Sequence, residues 1–260
     1  MPNQHEGSAK LLAADSFRVR RNAQSGEAEV RGGRAHLHRF ELAVREATEH
    51  SPSLVALIDR FLADSVQQIS EFGTGWPRLE LWGTGSDLSA DNNGDHFELR
   101  LALRALPTLG AGVGLRTAVA IGVQHPERKG PNIARYAELN RHLEAEALLL
   151  DQHGYVLEGA TTSLLWWEDE LLCAALPGQR VDSITEAIVL RYAQTQGTQV
   201  VHANALPGDL AAAEVWAVNA LHGIRPVTRL NEKPLRAPRE DRLREYTAAL
   251  DRSWRPLRKN

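Results

Sequence analysis

The sequence predicts an α/β (α+β) chain of two domains, and three observations carry that expectation. Residues 16–123 interleave short apolar strand candidates with two amphipathic helices. Residues 124–132, QHPERKGPN, form a polar junction with two prolines and a glycine. Beyond the junction, strand candidates follow in quick succession and then alternate with helices. The expected division is therefore 1–123, an N-terminal α+β domain with an antiparallel sheet and two helices, and 124–260, a C-terminal α/β domain.

The elements follow in chain order. The first ten residues, MPNQHEGSAK, are polar and expected to be loose. Ser16–Arg20 and Ala28–Val30 are strand candidates around the turn Gln24-Ser25-Gly26. Residues 36–50 place Leu37, Phe40, Ala43 and Val44 near one helical stripe. Ser51-Pro52 ends that helix, and Ser53 is positioned to cap a second one reaching about residue 70. Strand candidates occupy 78–83, 96–106 and 115–123, with the turn-rich SDLSADNNGD between the first two. After the junction come a helix over 133–145 and strands at 147–151, 155–158, 163–167 and 171–175, with tight turns at His153-Gly154 and Glu168-Asp169. A helix over 184–197, a strand at 199–203, a short helical segment at 207–212 and a strand at 214–221 follow. The last 20 residues are expected to form an amphipathic helix.

Composition narrows the function classes. With 43% hydrophobic and 24% charged residues the chain reads as soluble and globular. A net charge of −3, with only isolated basic pairs, gives no reason to expect a nucleic-acid partner. No window reaches membrane-spanning length, and the N-terminus lacks the apolar segment of a signal peptide, so a cytoplasmic protein is expected. The single cysteine, Cys173, excludes an internal disulfide or a cysteine-rich zinc site. The ten histidines show no metal-binding spacing. GTGSD (83–87) lacks the lysine and spacing of a phosphate loop.

Four constellations carry chemistry. Lys129 precedes a helix in the polar junction. Most lysines are solvated, but one at a domain junction can form an imine with an aldehyde cofactor if its amine is held neutral. Glu158 ends a strand and is followed by Gly159 and Ala160, so a ligand could approach it closely. Either it is an exposed strand end, or it hydrogen-bonds a protonated pyridine nitrogen and keeps that ring an electron sink. Ser183-x-x-Glu186 is a capping box, which alone explains both residues. The amides of Ile184 and Thr185, with the Thr185 hydroxyl, could also face a phosphate. Arg39, on the first helix, could clamp the same phosphate. Asn219 and Ala220, at a strand end in VNALHGIRPV, offer donors to an anion.

Taken in order, these features resemble the fold-type IV pyridoxal-phosphate enzymes, which include the class IV aminotransferases and 4-amino-4-deoxychorismate lyase. KGPN matches the family's K-x-x-N, with Lys129 as the Schiff-base lysine. EALLLDQHGYVLEGATTSLLWW matches its strand–turn–strand ending in the pyridine-nitrogen carboxylate, here Glu158. Ser183-Ile184-Thr185 is similar to its G-I-T phosphate-binding helix start. His36, Arg39 and Phe40 fit its H-x-x-R-[LF] pattern. NALHGIRPV is similar to the lyase branch. The chain departs from the family at Ile133 (tyrosine after the asparagine), Ser163 (asparagine), Glu186 (arginine) and ADSFRV in place of a glycine-rich opening. The resemblance implies two domains with pyridoxal 5'-phosphate in the cleft between them, and a homodimer acting on a small amino substrate. Lys129 would be the catalytic base, with Arg39, Glu158, Ser183, Ile184, Thr185, Asn219 and Ala220 on the cofactor. It implies most closely a 4-amino-4-deoxychorismate lyase, releasing pyruvate and 4-aminobenzoate. The alternatives are a branched-chain or D-amino-acid type aminotransferase and a non-catalytic relative. Arg18, Arg20 and Arg225 are candidates for the substrate carboxylate.

Overall fold

Alternating burial along Lys10–Ser16 and Arg78–Thr84 marks two strands, β1 and β4, that pair antiparallel with Asp15 opposite Leu79. The computed structural model describes residues 9–49, 52–84, 96–118 and 123–259. The loop 86–95, the Ser51 helix stop and most of the first ten residues lie outside those described. Two units emerge. The first comprises residues up to Leu106, Arg128–Pro131 and Pro256–Asn260.

In the first unit, β4 is the central strand of a three-stranded sheet, flanked by β1 and β5 (His96–Ala102). β2 (Val19–Arg21) and β3 (Ala28–Arg31) form a hairpin over the turn at Gly26, whose φ is +72°. The segment expected as one strand from Ser16 to Arg20 is thus split between the end of β1 and β2. Lys10 starts a strand although the opening decapeptide reads as loose. Helix α1 (Gly33–Ala47) buries His36, Leu37, Phe40, Ala43 and Val44, and α2 (Pro52–Phe72) follows. The apolar stripe was legible, but a histidine shares it.

The second unit comprises Pro107–Glu127 and Asn132–Arg255. Its elements are β6 (Val113–Ala118), α3 (Ile133–Leu143), β7 (Glu146–Leu150), β8 (Val156–Gly159), β9 (Ser163–Glu168) and β10 (Leu171–Ala174). Then come α4 (Ile184–Thr195), β11 (Val200–His202), a 3-10 turn at Asp209–Ala212, β12 (Glu214–Asn219), β13 (Gly223–Leu230), β14 (Lys233–Pro234) and α5 (Glu240–Asp251), with β15 (Trp254–Pro256) after them. Strands β11-β10-β9-β12-β13-β6-β7-β8 lie in that order in one mixed sheet, with β14 on β13. The sheet curls: the Val156 N–H at one end of the order donates to the Ala205 carbonyl, just past β11 at the other, at 2.8 Å. One face packs Leu115, Leu148, Leu164, Trp166, Val215 and Val227, and the opposite face packs Leu165, Trp216 and Val218 with residues of α4 and α5.

This division differs from the expected boundary at 123/124. β6 was expected in the N-terminal antiparallel sheet, but it runs parallel to both β7 and β13. Its period-2 pattern gave no direction, and pairing partners are not encoded within a strand. The helix expected over the last 20 residues stops at Asp251, and β13 was missed because Pro226 interrupts it.

Candidate active site

In the first unit the geometry centres on Asp15, fully buried on β1. Arg39 donates from Nε to Oδ2 at 2.8 Å and from Nη2 to Oδ1 at 2.9 Å, and His36 Nδ1 lies 2.9 Å from Oδ1. Burial pushes His36 below its ordinary value, against the pull of Asp15. The imidazole is therefore neutral, and its proton sits on Nδ1 because an ionised carboxylate can only accept. Burial alone would raise Asp15, but Arg39, His36 and Lys129 together hold its carboxyl well below the usual range. Lys129 is half-buried, and its carbonyl accepts from the Ala14 N–H at 2.7 Å. Gly130 has φ +144°, and a Cβ there would lie 2.7 Å from the Ala13 Cα, so no side chain fits beside β1.

In the second unit Asn132 closes the 124–132 loop: its Nδ2 donates to the Gln124 carbonyl at 2.7 Å, and its Oδ1 accepts from the Gln124 N–H. This accounts for an asparagine in the KGPN pattern.

Glu158 owes its orientation to a bulge. Leu150 pairs with Val156 and Leu149 with Glu158, so Leu157 is an extra residue on β8. Without it, Glu158 would share a face with Val156, among the apolar residues inside the curl. With it, Glu158 shares the face of Leu149, against which Tyr136 of α3 packs. The Tyr136 phenol is pushed up to about 12, first by burial and then by the Glu158 charge. The following turn is held by Glu146, whose Oε1 accepts from the Thr161 N–H and from the Thr161 and Thr162 hydroxyls at 2.8–2.9 Å. The turn has no room at Gly159, where a Cβ would come within 2.8 Å of that oxygen.

Helix α4 begins as its capping box requires, with Ser183 Oγ accepting from the Glu186 N–H. First-turn amides have no intrahelical acceptor, so Ile184 and Thr185 form a donor set for an anion, and Thr185 is buried. Glu186, a departure from the family pattern, is matched by Arg180: the two form a buried bidentate pair at 2.6 and 2.7 Å. Burial disfavours the Arg180 charge, yet Glu186, and with it Glu158 and Asp182, raise it on balance. The Asn219 side chain shapes its own turn, Oδ1 accepting from the Leu221 and His222 N–H groups and Nδ2 donating to the Thr161 carbonyl.

The sequence-derived residues thus gather in each unit separately. Lys129 and Arg39 meet around Asp15 in the first. Glu158, the α4 start and the Asn219-Ala220 turn are linked through Arg180 and Thr161 in the second. Sequence reasoning missed Asp15, Arg180 and Glu146. Only Asp15 left a signal, inside the unusual opening ADSFRV. Among the described residues no helix is long and apolar enough to cross a membrane, and no cluster could hold a metal ion.

The class IV amino-transferase family model matches residues 14–230. The chain belongs to that family. Membership makes it a pyridoxal-phosphate-dependent enzyme with aminotransferase or lyase chemistry. The T.th. branched-chain amino acid aminotransferase, solved with pyridoxamine 5'-phosphate, is 21% identical with a TM-score of 0.74, covering 96% of this chain and 86% of that one. A Legionella pneumophila protein provisionally named 4-amino-4-deoxychorismate lyase is 16% identical with a TM-score of 0.72, covering 97% and 96%. The Thermoproteus uzoniensis branched-chain aminotransferase, with norvaline, is 17% identical with a TM-score of 0.72, covering 95% and 90%. These likenesses establish the fold. No curated protein sequence matches the chain.

The donor set fits the cofactor. A lysine amine, a buried carboxylate, a guanidinium and a helix N-terminus with a buried threonine hydroxyl are the groups that an aldehyde, a pyridine nitrogen and a phosphate require.

Proposed function

We propose that the chain acts on a small amino substrate most like 4-amino-4-deoxychorismate, releasing pyruvate and 4-aminobenzoate. The observation that carries the site assignment is the Leu157 bulge, which turns Glu158 out of the apolar interior and towards Tyr136 and α4. Lys129 is the attachment point and, once released, the base that takes the substrate α-proton. Glu158 accepts the hydrogen bond of the pyridine nitrogen and keeps that nitrogen protonated. When bound, pyridoxal phosphate supplies the electron sink for the negative charge left on the α-carbon. Arg39, the Ile184 and Thr185 amides, the Thr185 hydroxyl and the turn at Asn219-Ala220 hold the phosphate, with Ser183 fixing the helix end. The Asn219–Val227 sequence and Ile133 after Asn132 support the lyase branch. A homodimer in the cytoplasm belongs to the same reading.

A second reading, a branched-chain or D-amino-acid type aminotransferase, uses the same cofactor residues and differs only in where the proton returns. The experiment separates both from an inactive relative. Purified protein incubated with pyridoxal phosphate should show the visible band of a lysine-bound cofactor, and Lys129→Ala should lack it. Aminodeoxychorismate should then yield pyruvate and 4-aminobenzoate. Conversion of an amino acid with a keto-acid acceptor, and no pyruvate from aminodeoxychorismate, would replace the lyase by the aminotransferase. A protein that takes up no cofactor would refute both.

A further inference from the structure

We propose that Asp15 is a positioning residue for both Lys129 and Arg39, fixing the guanidinium and setting the electrostatic field at the lysine amine. This inference rests on the roles proposed above for those two residues.

Three observations bear on it. Both Asp15 oxygens are engaged, Oδ2 by Arg39 Nε and Oδ1 by Arg39 Nη2 and His36 Nδ1. A side chain held by two parallel N–H···O bonds has its plane and direction fixed, which a single contact cannot do. The residue before Asp15 is also the one that grips Lys129: the Ala14 N–H donates to the Lys129 carbonyl, and Gly130 lies flat against Ala13. Strand β1 therefore carries the carboxylate and the main-chain anchor of the lysine on adjacent residues. Finally, the carboxylate is fully buried. Burying an ion pair gains little stability over an apolar replacement, so stability alone does not account for its presence.

The charges facing Asp15 can be enumerated. Arg39 and His36 approach from α1, His36 neutral, and Lys129 from the 128–131 segment. Arg104 holds the next residue, donating from Nη2 to the Ser16 Oγ at 3.1 Å. Asp15 and Arg39 cancel as a pair. Removing the anion leaves Arg39 beside Lys129 as an unbalanced cation, which disfavours a protonated amine and lowers its pKa. Removing Arg39 leaves the anion and does the reverse.

The test is the titration of the Lys129 amine in the full-length protein without cofactor. Acetic anhydride labelling at a series of pH values, read by peptide mass spectrometry, gives the midpoint. Asp15→Asn should lower that midpoint by about one pH unit, a tenfold change in proton affinity. Arg39→Gln should raise it. Asp15→Asn should also weaken pyridoxal-phosphate binding about tenfold, and Asp15→Glu should recover part of both effects. A packing role alone would not move the two midpoints in opposite directions. The inference is overturned if folded Asp15→Asn keeps the wild-type midpoint and affinity. If that variant does not fold, an unchanged midpoint in Arg39→Gln overturns it equally. A wild-type protein that takes up no pyridoxal phosphate would instead defeat the proposed function, while the amine titration still decides the field of Asp15.

Discussion

The Arg180–Glu186 pair should behave as one unit whose halves are costly apart and dispensable together. Both side chains are almost inaccessible, at 4% and 7%, and two charge-assisted bonds join them. In Glu186→Ala the guanidinium keeps its bonds to the Ala175 and Leu176 carbonyls but loses its only charged partner in the pair. Breaking a buried pair by removing one member costs about 3–5 kcal/mol, because the survivor stays buried and uncompensated. For a chain of this size each kcal/mol shifts Tm by roughly 2–4 °C, so a loss near 10 °C is expected. Arg180→Met should cost a comparable amount. The double variant Arg180→Met/Glu186→Leu replaces both charges by apolar groups and should return to within about 1 kcal/mol of wild type. Urea denaturation of all four proteins, arranged as a double-mutant cycle, measures the coupling. Single losses below about 1 kcal/mol, or a double variant whose loss equals the sum of the singles, would refute the reasoning.

Two further outcomes follow from the same geometry. Glu158→Gln should keep the fold and the bound cofactor while lowering turnover at least tenfold, a barrier increase of about 1.4 kcal/mol; turnover at the wild-type rate would remove Glu158 from its role. Acid should weaken the first unit in two stages. The lowered His36 pKa means that stability present above the unfolded value near 6.5 is lost as pH falls below it, and the lowered Asp15 pKa adds a second loss below 3.8. Urea midpoints from pH 8 to pH 4 should show the first stage in wild type and lack it in His36→Gln.

Much of the fold was legible because it depends on local rules. The α1 stripe, the α4 capping box and the strands on either side of Gly154 and Asp169 all follow from periodicity and turn chemistry. What failed was non-local. β6 reads as a strand wherever it pairs, and its place between β13 and β7 depends on partners more than 25 residues away in sequence. β13 was hidden by Pro226, which the sheet accommodates opposite Trp216.

The site divides in the same way, and the division explains the family departures. Residues that meet a ligand must present particular groups at particular spacings, so Lys129, Glu158 and Ser183-Ile184-Thr185 could be found by pattern. The charges that support them need only reach in three dimensions. Asp15 lies 24 residues from Arg39, and Glu146 lies 15 from Thr161, separations that no local motif records. Glu186 read as a conflict because its partner was out of sight six residues upstream in the polar PGQRVDS stretch. ADSFRV likewise read as a lost glycine-rich opening, although its aspartate is the anion on which Arg39 rests. The bulge is subtler still, since nothing in YVLEG marks Leu157 as extra. Only the register with β7 reveals that one inserted residue decides whether Glu158 faces the apolar interior or Tyr136. A departure from a family pattern is therefore evidence against function only after its three-dimensional partner has been sought. For Glu186 and Asp15 that partner is an arginine, and in both cases the arginine is held by two bonds.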